Sequence, residues 1–430
     1  MDVVLLFVMV VGFLLIGVPI AVALGFSSVL FLLIFSDSSL ASVAQTLFQA
    51  FEGHFTLLAI PFFILASSFM TTGGVAQRII RFAIACVGHL RGGLAISGVF
   101  ACMMFAALSG SSPATVVAIG SIVIAAMKQA GYTKEFAAGV ICNAGTLGIL
   151  IPPSIAYIII GLVLGISAST LFLAALIPGL CILISILVTN VVMNRINGWE
   201  GGGNISAGEY FGNLGRSLKS GWYAFIVPGI IFYGIFSGRL TPTEAGATAV
   251  VVTVLMGFIL RTLSLSDFPA MLVSSAKVNG VILPIIAFSA PLAEALAIMG
   301  VPQGFVAAVT GMTDEPWLLI LLMIGILIAA GCVMETTPNI VILAPILKPL
   351  ADNIGMNEIQ FCIMMITALG VGFITPPLGL NLFVVSGITG ESILKIAARA
   401  VPFVLFMLLV VLLIAYLPAI STTLLPDIYK

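Results

Sequence analysis

Ser109-Gly110-Ser111-Ser112-Pro113, then Gly131-Tyr132-Thr133-Lys134-Glu135, then Gly148-Ile149-Leu150-Ile151-Pro152-Pro153 is a passage that the chain repeats in outline. The second version reads Glu335-Thr336-Thr337-Pro338, Gly355-Met356-Asn357-Glu358 and Gly372-Phe373-Ile374-Thr375-Pro376-Pro377. Pro113 and Pro338 lie 225 positions apart and Gly148 and Gly372 lie 224 apart, so the register holds through both passages. Hydroxyl, proline and glycine clusters stand in both, inside apolar sequence. Broken backbone at matching places in two halves of a membrane chain points to a substrate and ion site between them.

The surroundings are those of a membrane protein. Of 430 residues, 61% are hydrophobic and 7% charged, and the mean hydropathy is +1.30. Soluble domains carry about 25% charged residues. Apolar runs such as 3–22, 94–108, 174–193, 247–260, 318–330 and 401–417 predict about ten to twelve spans plus partial insertions. Met1-Asp2-Val3 has no basic region ahead of its apolar run, which predicts a retained helix and not a signal peptide. The six cysteines, at 86, 102, 142, 181, 332 and 362, form no Cys-x-x-Cys pair and read as buried small residues. A net charge of −1 and the lack of any basic tract give no footing for nucleic acid.

Charge placement orients the two passages. Arg78, Arg81, Arg91, Lys128 and Lys134 flank the first, with Glu135 opposing them, whereas Asp314, Glu315, Asp352 and Glu358 flank the second, with Lys348 as the base. The positive-inside tendency predicts entry of the first from the cytoplasm and of the second from the opposite face, hence inverted repeats. Leu58-Ala59-Ile60-Pro61 and Gly74-Val75-Ala76-Gln77 match Ile282-Leu283-Pro284-Ile285 and Gly300-Val301-Pro302-Gln303 in order, extending the halves to about 1–190 and 222–425. Between them, after Gly201-Gly202-Gly203, Tyr210, Phe211, Leu214, Leu218 and Trp222 recur at helical spacing against Glu209, Asn213, Arg216 and Lys219. That predicts an amphipathic connector along the membrane surface.

Gly110 and Pro113 disfavour continued helix, so their apolar flanks fold back as a hairpin whose tip lies inside the membrane. Carbonyls exposed there coordinate a hard cation, and helix N-termini attract an anion. Ser109, Ser111 and Ser112 at one tip, and Glu335, Thr336 and Thr337 at the other, are the candidate cargo contacts. Gly145, Gly148 and Pro152 in one half, and Gly370, Gly372 and Thr375 in the other, would unwind a spanning helix and free carbonyls. With Ser111, Ser112 and Thr337 they form the candidate ion ligands, one Na⁺ per half. Oxygen ligands suit that ion, and no soft-metal constellation exists. Glu335 and Glu294 are carboxylates deep in apolar sequence, where acids are costly. Thr241-Pro242-Thr243-Glu244 reads as a capping box. His54 and His89 stand apart from any nucleophile, and Gly110-Ser111-Ser112 is no hydrolase elbow.

Ala107 to Thr115, Gly145 to Ser154, Leu240-Thr241-Pro242-Thr243-Glu244-Ala245 and Gly370 to Gly379 together resemble the large membrane subunit of TRAP transporters, over essentially the whole chain. The resemblance implies an all-α polytopic fold of two inverted repeats with re-entrant hairpins and broken helices, working as an elevator. It implies Na⁺-driven import across the bacterial inner membrane, a periplasmic binding protein that delivers the cargo, and a small four-helix membrane subunit, here expected as a separate chain. The division it implies is scaffold at 1–87 and 226–311, a moving body at 88–190 and 312–400, a connecting arm at 191–225 and a C-terminal membrane helix at 401–430. Ser-Ser-Pro-Ala-Thr is most similar to the sialic acid branch, while many dicarboxylate relatives carry Asp in place of Glu335.

The expected cargo is an organic acid, sialic acid by that wording. No Arg or Lys lies near either tip, so hydroxyls, helix ends and bound Na⁺ would balance an anion. A stand-alone Na⁺/dicarboxylate symporter and a channel or structural subunit are the alternatives.

Overall fold

A computed structural model describes residues 2–36, 39–72, 74–199 and 206–426, and all regular structure among them is helical. Gly201–Gly203 lie outside the described residues. The first repeat comprises α1 (Asp2–Leu15), α2 (Ile20–Phe35), α3 (Leu40–Gln49), α4 (Ala59–Thr72), α5 (Val75–Val87), α6 (Gly93–Ser109), α7 (Ser112–Gln129), α8 (Lys134–Gly145), α9 (Leu147–Leu150), α10 (Ile155–Leu164) and α11 (Ala168–Asn197). After the connector α12 (Ala207–Gly221) come α13 (Ile226–Phe236), α14 (Pro242–Ile259), α15 (Phe268–Ile298), α16 (Val301–Thr310), α17 (Pro316–Val333), α18 (Thr336–Asn353), α19 (Glu358–Gly372), α20 (Leu380–Thr389), α21 (Ile393–Tyr416) and α22 (Pro418–Thr422).

Among the described residues seven helices, or nine if each bent pair is one span, are long and apolar enough to cross a bilayer. The ten to twelve expected are not all met by that measure, because several apolar runs fold as helices of 10–17 residues, and two of the seven, α7 and α17, are themselves hairpin arms. The run at 94–108, for example, is α6, which stops at Gly110 in the left-handed conformation. α7 then starts with Pro113 in its first turn, where the missing N–H has no partner to lose. α17 and α18 make the second hairpin. α8–α9 and α10 form one broken helix, bent by 43°, and α19 and α20 the other, and both breaks carry a cis Pro-Pro bond, Pro152-Pro153 and Pro376-Pro377. Gly74 and Gly300, matched in the sequence, both adopt the left-handed conformation at the starts of α5 and α16.

Two packed groups result. α4 packs against α14 and α15, and α15 against α2. The hairpins and broken helices pack with α11 and α21 in a second group, joined to the first mainly where α5 meets α6 and where α15 and α16 meet α18. Within the second group α7 packs on α20 and α10 on α18, so each hairpin leans on the other repeat's broken helix.

The repeats are inverted, and α21 provides the ruler. Its 24 residues rise about 36 Å, the depth of a membrane core. At its N-terminal end Glu391 pairs with Lys134 at the base of the first hairpin, 3.4 Å apart. At its C-terminal end the Tyr416 hydroxyl donates to the Trp317 carbonyl at the base of the second, 2.7 Å. The Gln360 amide donates there to the Ile414 and Ala415 carbonyls. The two hairpins enter from opposite faces. Trp199, just beyond α11, packs its ring at a tilt against Tyr132 and Phe136, which brings Arg195 to the first face along with Arg91, Lys128, Lys395 and Arg399. The positive-inside rule assigns that face to the cytoplasm.

α12 carries the connector pattern. Tyr210, Leu214 and Gly221 are covered, packing toward α5, while Phe211, Leu218 and Trp222 form an exposed apolar stripe beside Arg216 and Lys219. Such a helix lies in the interface plane.

Candidate functional site

The two hairpin tips meet at one cavity of about 560 Å³. Ser109, Ser111, Ser112, Glu335, Thr336 and Thr337, the six candidate cargo contacts, all line it. Its other wall is a hydroxyl face on the first helix group: Ser67, Ser68 and Thr71 from α4, and Ser274 and Ser275 from α15. Glu335 is the charged residue in this lining, and no Lys or Arg is among the described lining residues.

The wall also tells which end of the scaffold helices the tips face. α4 begins beside His54 and Leu57, which share a second cavity with Gly161 to Ser169 at the far end of α10, away from the basic face. Its other end abuts the start of α15, with the Phe69 and Phe268 rings 5.0 Å apart. Ser67, Ser68, Thr71, Ser274 and Ser275 therefore sit on the halves of α4 and α15 nearer the basic face.

Tip 1 closes through its backbone. Gly110 N–H donates to the Ala106 carbonyl at 3.0 Å, and the Gly110 carbonyl accepts from Ile155 N–H at 3.2 Å, tying the tip to the first break. Ser109 Oγ lies 2.9 Å from Thr115 Oγ1, and Thr115 Oγ1 donates to the Ser111 carbonyl at 2.9 Å. Ser112, fully buried, donates its hydroxyl to Asn381 Oδ1 at 2.9 Å. Gly148 is required behind this tip, since a Cβ there would strike the Ser111 carbonyl and Ser112 Cα. A Cβ on Gly145 would strike Val116.

Tip 2 closes through a side chain. Met334 and Glu335 are extended, and Asn339 Nδ2 reaches back to the Ala330 and Met334 carbonyls at 3.2 and 3.0 Å. Gly379 N–H donates to the Cys332 carbonyl at 2.9 Å, tying this tip to the second break. The Phe373 and Thr375 carbonyls converge beside Gly379, 2.9 and 3.0 Å from where a Cβ would stand.

Of the candidate ion ligands, Ser111, Ser112 and Thr337 line the cavity, whereas Gly145, Gly148, Pro152, Gly370, Gly372 and Thr375 stand in the breaks behind it. The Gly372 carbonyl accepts from Thr375 N–H at 3.0 Å, and Thr375 Oγ1 donates to the Val371 carbonyl. Gly372 also lets α19 cross α17 at Gly331, where a Cβ would come within 2.6 Å of Gly331 Cα.

Two amides overlooked in the sequence add oxygen to each half. Asn143, before the first break, and Asn339, at tip 2, are both fully buried, and the Oδ1 of each has no hydrogen-bond partner among the described residues. A buried acceptor left unpaired is costly, and a hard cation beside it removes that cost. The donor set therefore fits Na⁺ in both halves. Asn143, Asn339 and Asn381 lie as amides within apolar runs, as do the pairs Ser67-Ser68 and Ser274-Ser275, and that placement is the signal by which the sequence could have marked them. Glu294 instead accepts from Thr46 Oγ1 at 3.2 Å, a bond between α3 and α15 outside the cavity. Glu244 completes the capping box with Thr241, its carboxylate accepting Thr241 N–H at 2.8 Å.

Residues 7–420 match the family described as tripartite ATP-independent periplasmic transporter, DctM component. The C4-dicarboxylate TRAP transporter large permease protein DctM of Vibrio cholerae is 46% identical over 98% of this chain and 97% of its own length. The sialic acid TRAP transporter large permease protein SiaM of the same organism is 31% identical over 97% of each. Among solved structures, the YdaH transporter of Alcanivorax borkumensis superposes with a TM-score of 0.64 over 91% of this chain and 92% of its own at 14% identity, a likeness of fold.

Proposed function

The chain belongs to the tripartite ATP-independent periplasmic transporter family as its large permease, a multi-pass bacterial inner-membrane protein, and from that premise we propose that it imports a four-carbon dicarboxylate by Na⁺ symport. The observation that carries this reading is the shared cavity. Two inverted tips meet there, rich in hydroxyls and backbone oxygens, with an unpaired buried amide oxygen in each half. Bound Na⁺ would neutralise Glu335 and offset the cargo's charge where no base lines the site. Similarity over the whole chain favours a dicarboxylate, 46% against 31%. Sialic acid is the second reading, favoured by the wording Ser111 to Thr115.

In this reading the hairpins and broken helices slide as one body with α11 and α21, which places its limits near 93–197 and 316–416. Residues 190 and 400 fall inside α11 and α21. Because the tips face the halves of α4 and α15 nearer the basic face, the conformation is inward-facing. A periplasmic binding protein would deliver cargo at the opposite face, beside a small membrane subunit.

Uptake into proteoliposomes containing the permease, its small subunit and its binding protein tests this. Uphill accumulation of succinate under an inward Na⁺ gradient is expected, with none under K⁺ alone. Equal uptake without the binding protein, or without Na⁺, would overturn the reading. Competition by sialic acid and not by malate would reassign the cargo.

A further inference from the structure

Asn381, the second residue of α20, is fully buried and holds four chain segments together. Its Oδ1 accepts the Ser112 hydroxyl of tip 1 at 2.9 Å. Its Nδ2 donates to the Cys142 carbonyl at 2.9 Å, and its backbone N–H to the Phe373 carbonyl at 3.0 Å. The Cys142 carbonyl is open because the first helix tightens at its break. Thr146 N–H turns to Asn143 at 3.1 Å, one residue short of the usual partner. Asn381 thus fills the acceptor that the first break exposes, while its own backbone spans the second.

We infer that Asn381 is a positioning residue that locks tip 1 to both breaks, so that the two halves of the site order together. The lock is one-sided. At the equivalent register the first repeat has Tyr157, 224 positions earlier, and tip 2 is held to its own repeat through Gly379 and Cys332. Each tip has a backbone bond to its own break, but tip 1 alone among the described tip residues carries this side-chain bond into the other repeat. An amide is suited to the place because it accepts from a hydroxyl and donates to a carbonyl at once. Gly145 keeps the approach open, since a Cβ there would stand 3.3 Å from Asn381 Nδ2. The consequence for cargo and ion binding rests on the proposed transport function, but the coupling itself does not.

Hydrogen exchange on the purified permease tests the coupling without any ligand, using Ser112→Ala, Asn381→Ala and the double variant. A lock predicts that each single change speeds exchange by about tenfold both in 109–116 and in 373–381, and that the double change adds little, as for residues acting as a unit. Strictly local effects, at 109–116 for Ser112→Ala and at 373–389 for Asn381→Ala, with additivity in the double, would overturn it. Should Asn381→Ala not fold, Asn381→Asp serves. It keeps the acceptor for Ser112 and loses the donor to Cys142, so exchange should rise at 142–147 and spare 109–116; a rise at 109–116 alone would overturn the lock. In the succinate uptake assay Asn381→Ala should raise half-saturation about tenfold and change maximal rate by less than about twofold, a split that general destabilisation does not give. Wild-type uptake indifferent to Na⁺ would defeat the transport reading and leave the exchange cycle to be scored separately.

Discussion

The two hairpin tips occupy equivalent register yet are built by different means. Tip 1 turns on Gly110 at φ +59°, a backbone solution, and presents hydroxyls with no charge. Tip 2 places Glu335 at the same position, extended, and closes through the Asn339 amide. The backs differ as well: Pro152 and Pro153 are buried, whereas Pro376, Pro377 and Leu378 are exposed. Inverted repeats therefore conserve where the backbone breaks, not which atoms repair it. In the proposed symport the charged tip would add a negative ligand beside its Na⁺, where the uncharged one offers only hydroxyls and carbonyls.

The largest effect that bears on the comparison is all-or-none. Cysteines replacing Lys134 and Asp352, at the two hairpin bases, should react with an impermeant maleimide from opposite sides of the membrane. Labelling from one side would dissolve the inversion. Next comes Gly110→Ala, where a left-handed L residue costs about 1–2 kcal/mol and its Cβ would meet the Pro153 carbonyl at 3.0 Å. Uptake should fall by roughly tenfold or more, while Glu335→Ala, at the same register, should leave tip backbone exchange unchanged. Asn339→Ala should do the converse, exposing two carbonyls at a cost of about 1–3 kcal/mol and loosening 330–340 with 106–116 intact. Equal loosening of both tips would mean that their closures are not independent.

Glu335→Gln separates charge from shape at tip 2. Removing a negative ligand from a cation's surroundings should weaken Na⁺ dependence by roughly tenfold, with the protein's thermal stability little altered. An unchanged Na⁺ requirement would move the cation away from Glu335.

The breaks and tips were legible because Gly and Pro act locally: Gly110, Pro113, Pro152-Pro153 and Pro376-Pro377 dictate backbone wherever they stand. Inversion was legible from bases alone, since their cost of crossing depends on the membrane and not on partners. What the sequence hid depends on partners far apart in the chain. Asn381 reads as an isolated amide until α20 folds against Ser112 and Cys142. Glu294 and Glu335 look alike as acids in apolar sequence, and only packing puts one against Thr46 and the other in the cavity. Hairpin arms were hard to tell from spans for a related reason, because a hairpin arm and a spanning helix have the same composition and differ in where they turn.

The smallest effect concerns the wall that faces both tips. Ser67 and Ser274 line the cavity from α4 and α15, and in a sliding mechanism they would meet the cargo only when the tips stand near the basic face. A lost hydroxyl contact to a bound anion is worth about 0.5–1.5 kcal/mol, so Ser67→Ala or Ser274→Ala alone should shift apparent affinity by only about two- to tenfold. The shift should appear for cargo bound from the cytoplasmic side and be absent for cargo offered from outside. An equal shift from both sides would mean that the tips do not leave this wall during the cycle. The difference between tip 1 and tip 2 would then belong to a fixed site and not to a moving one.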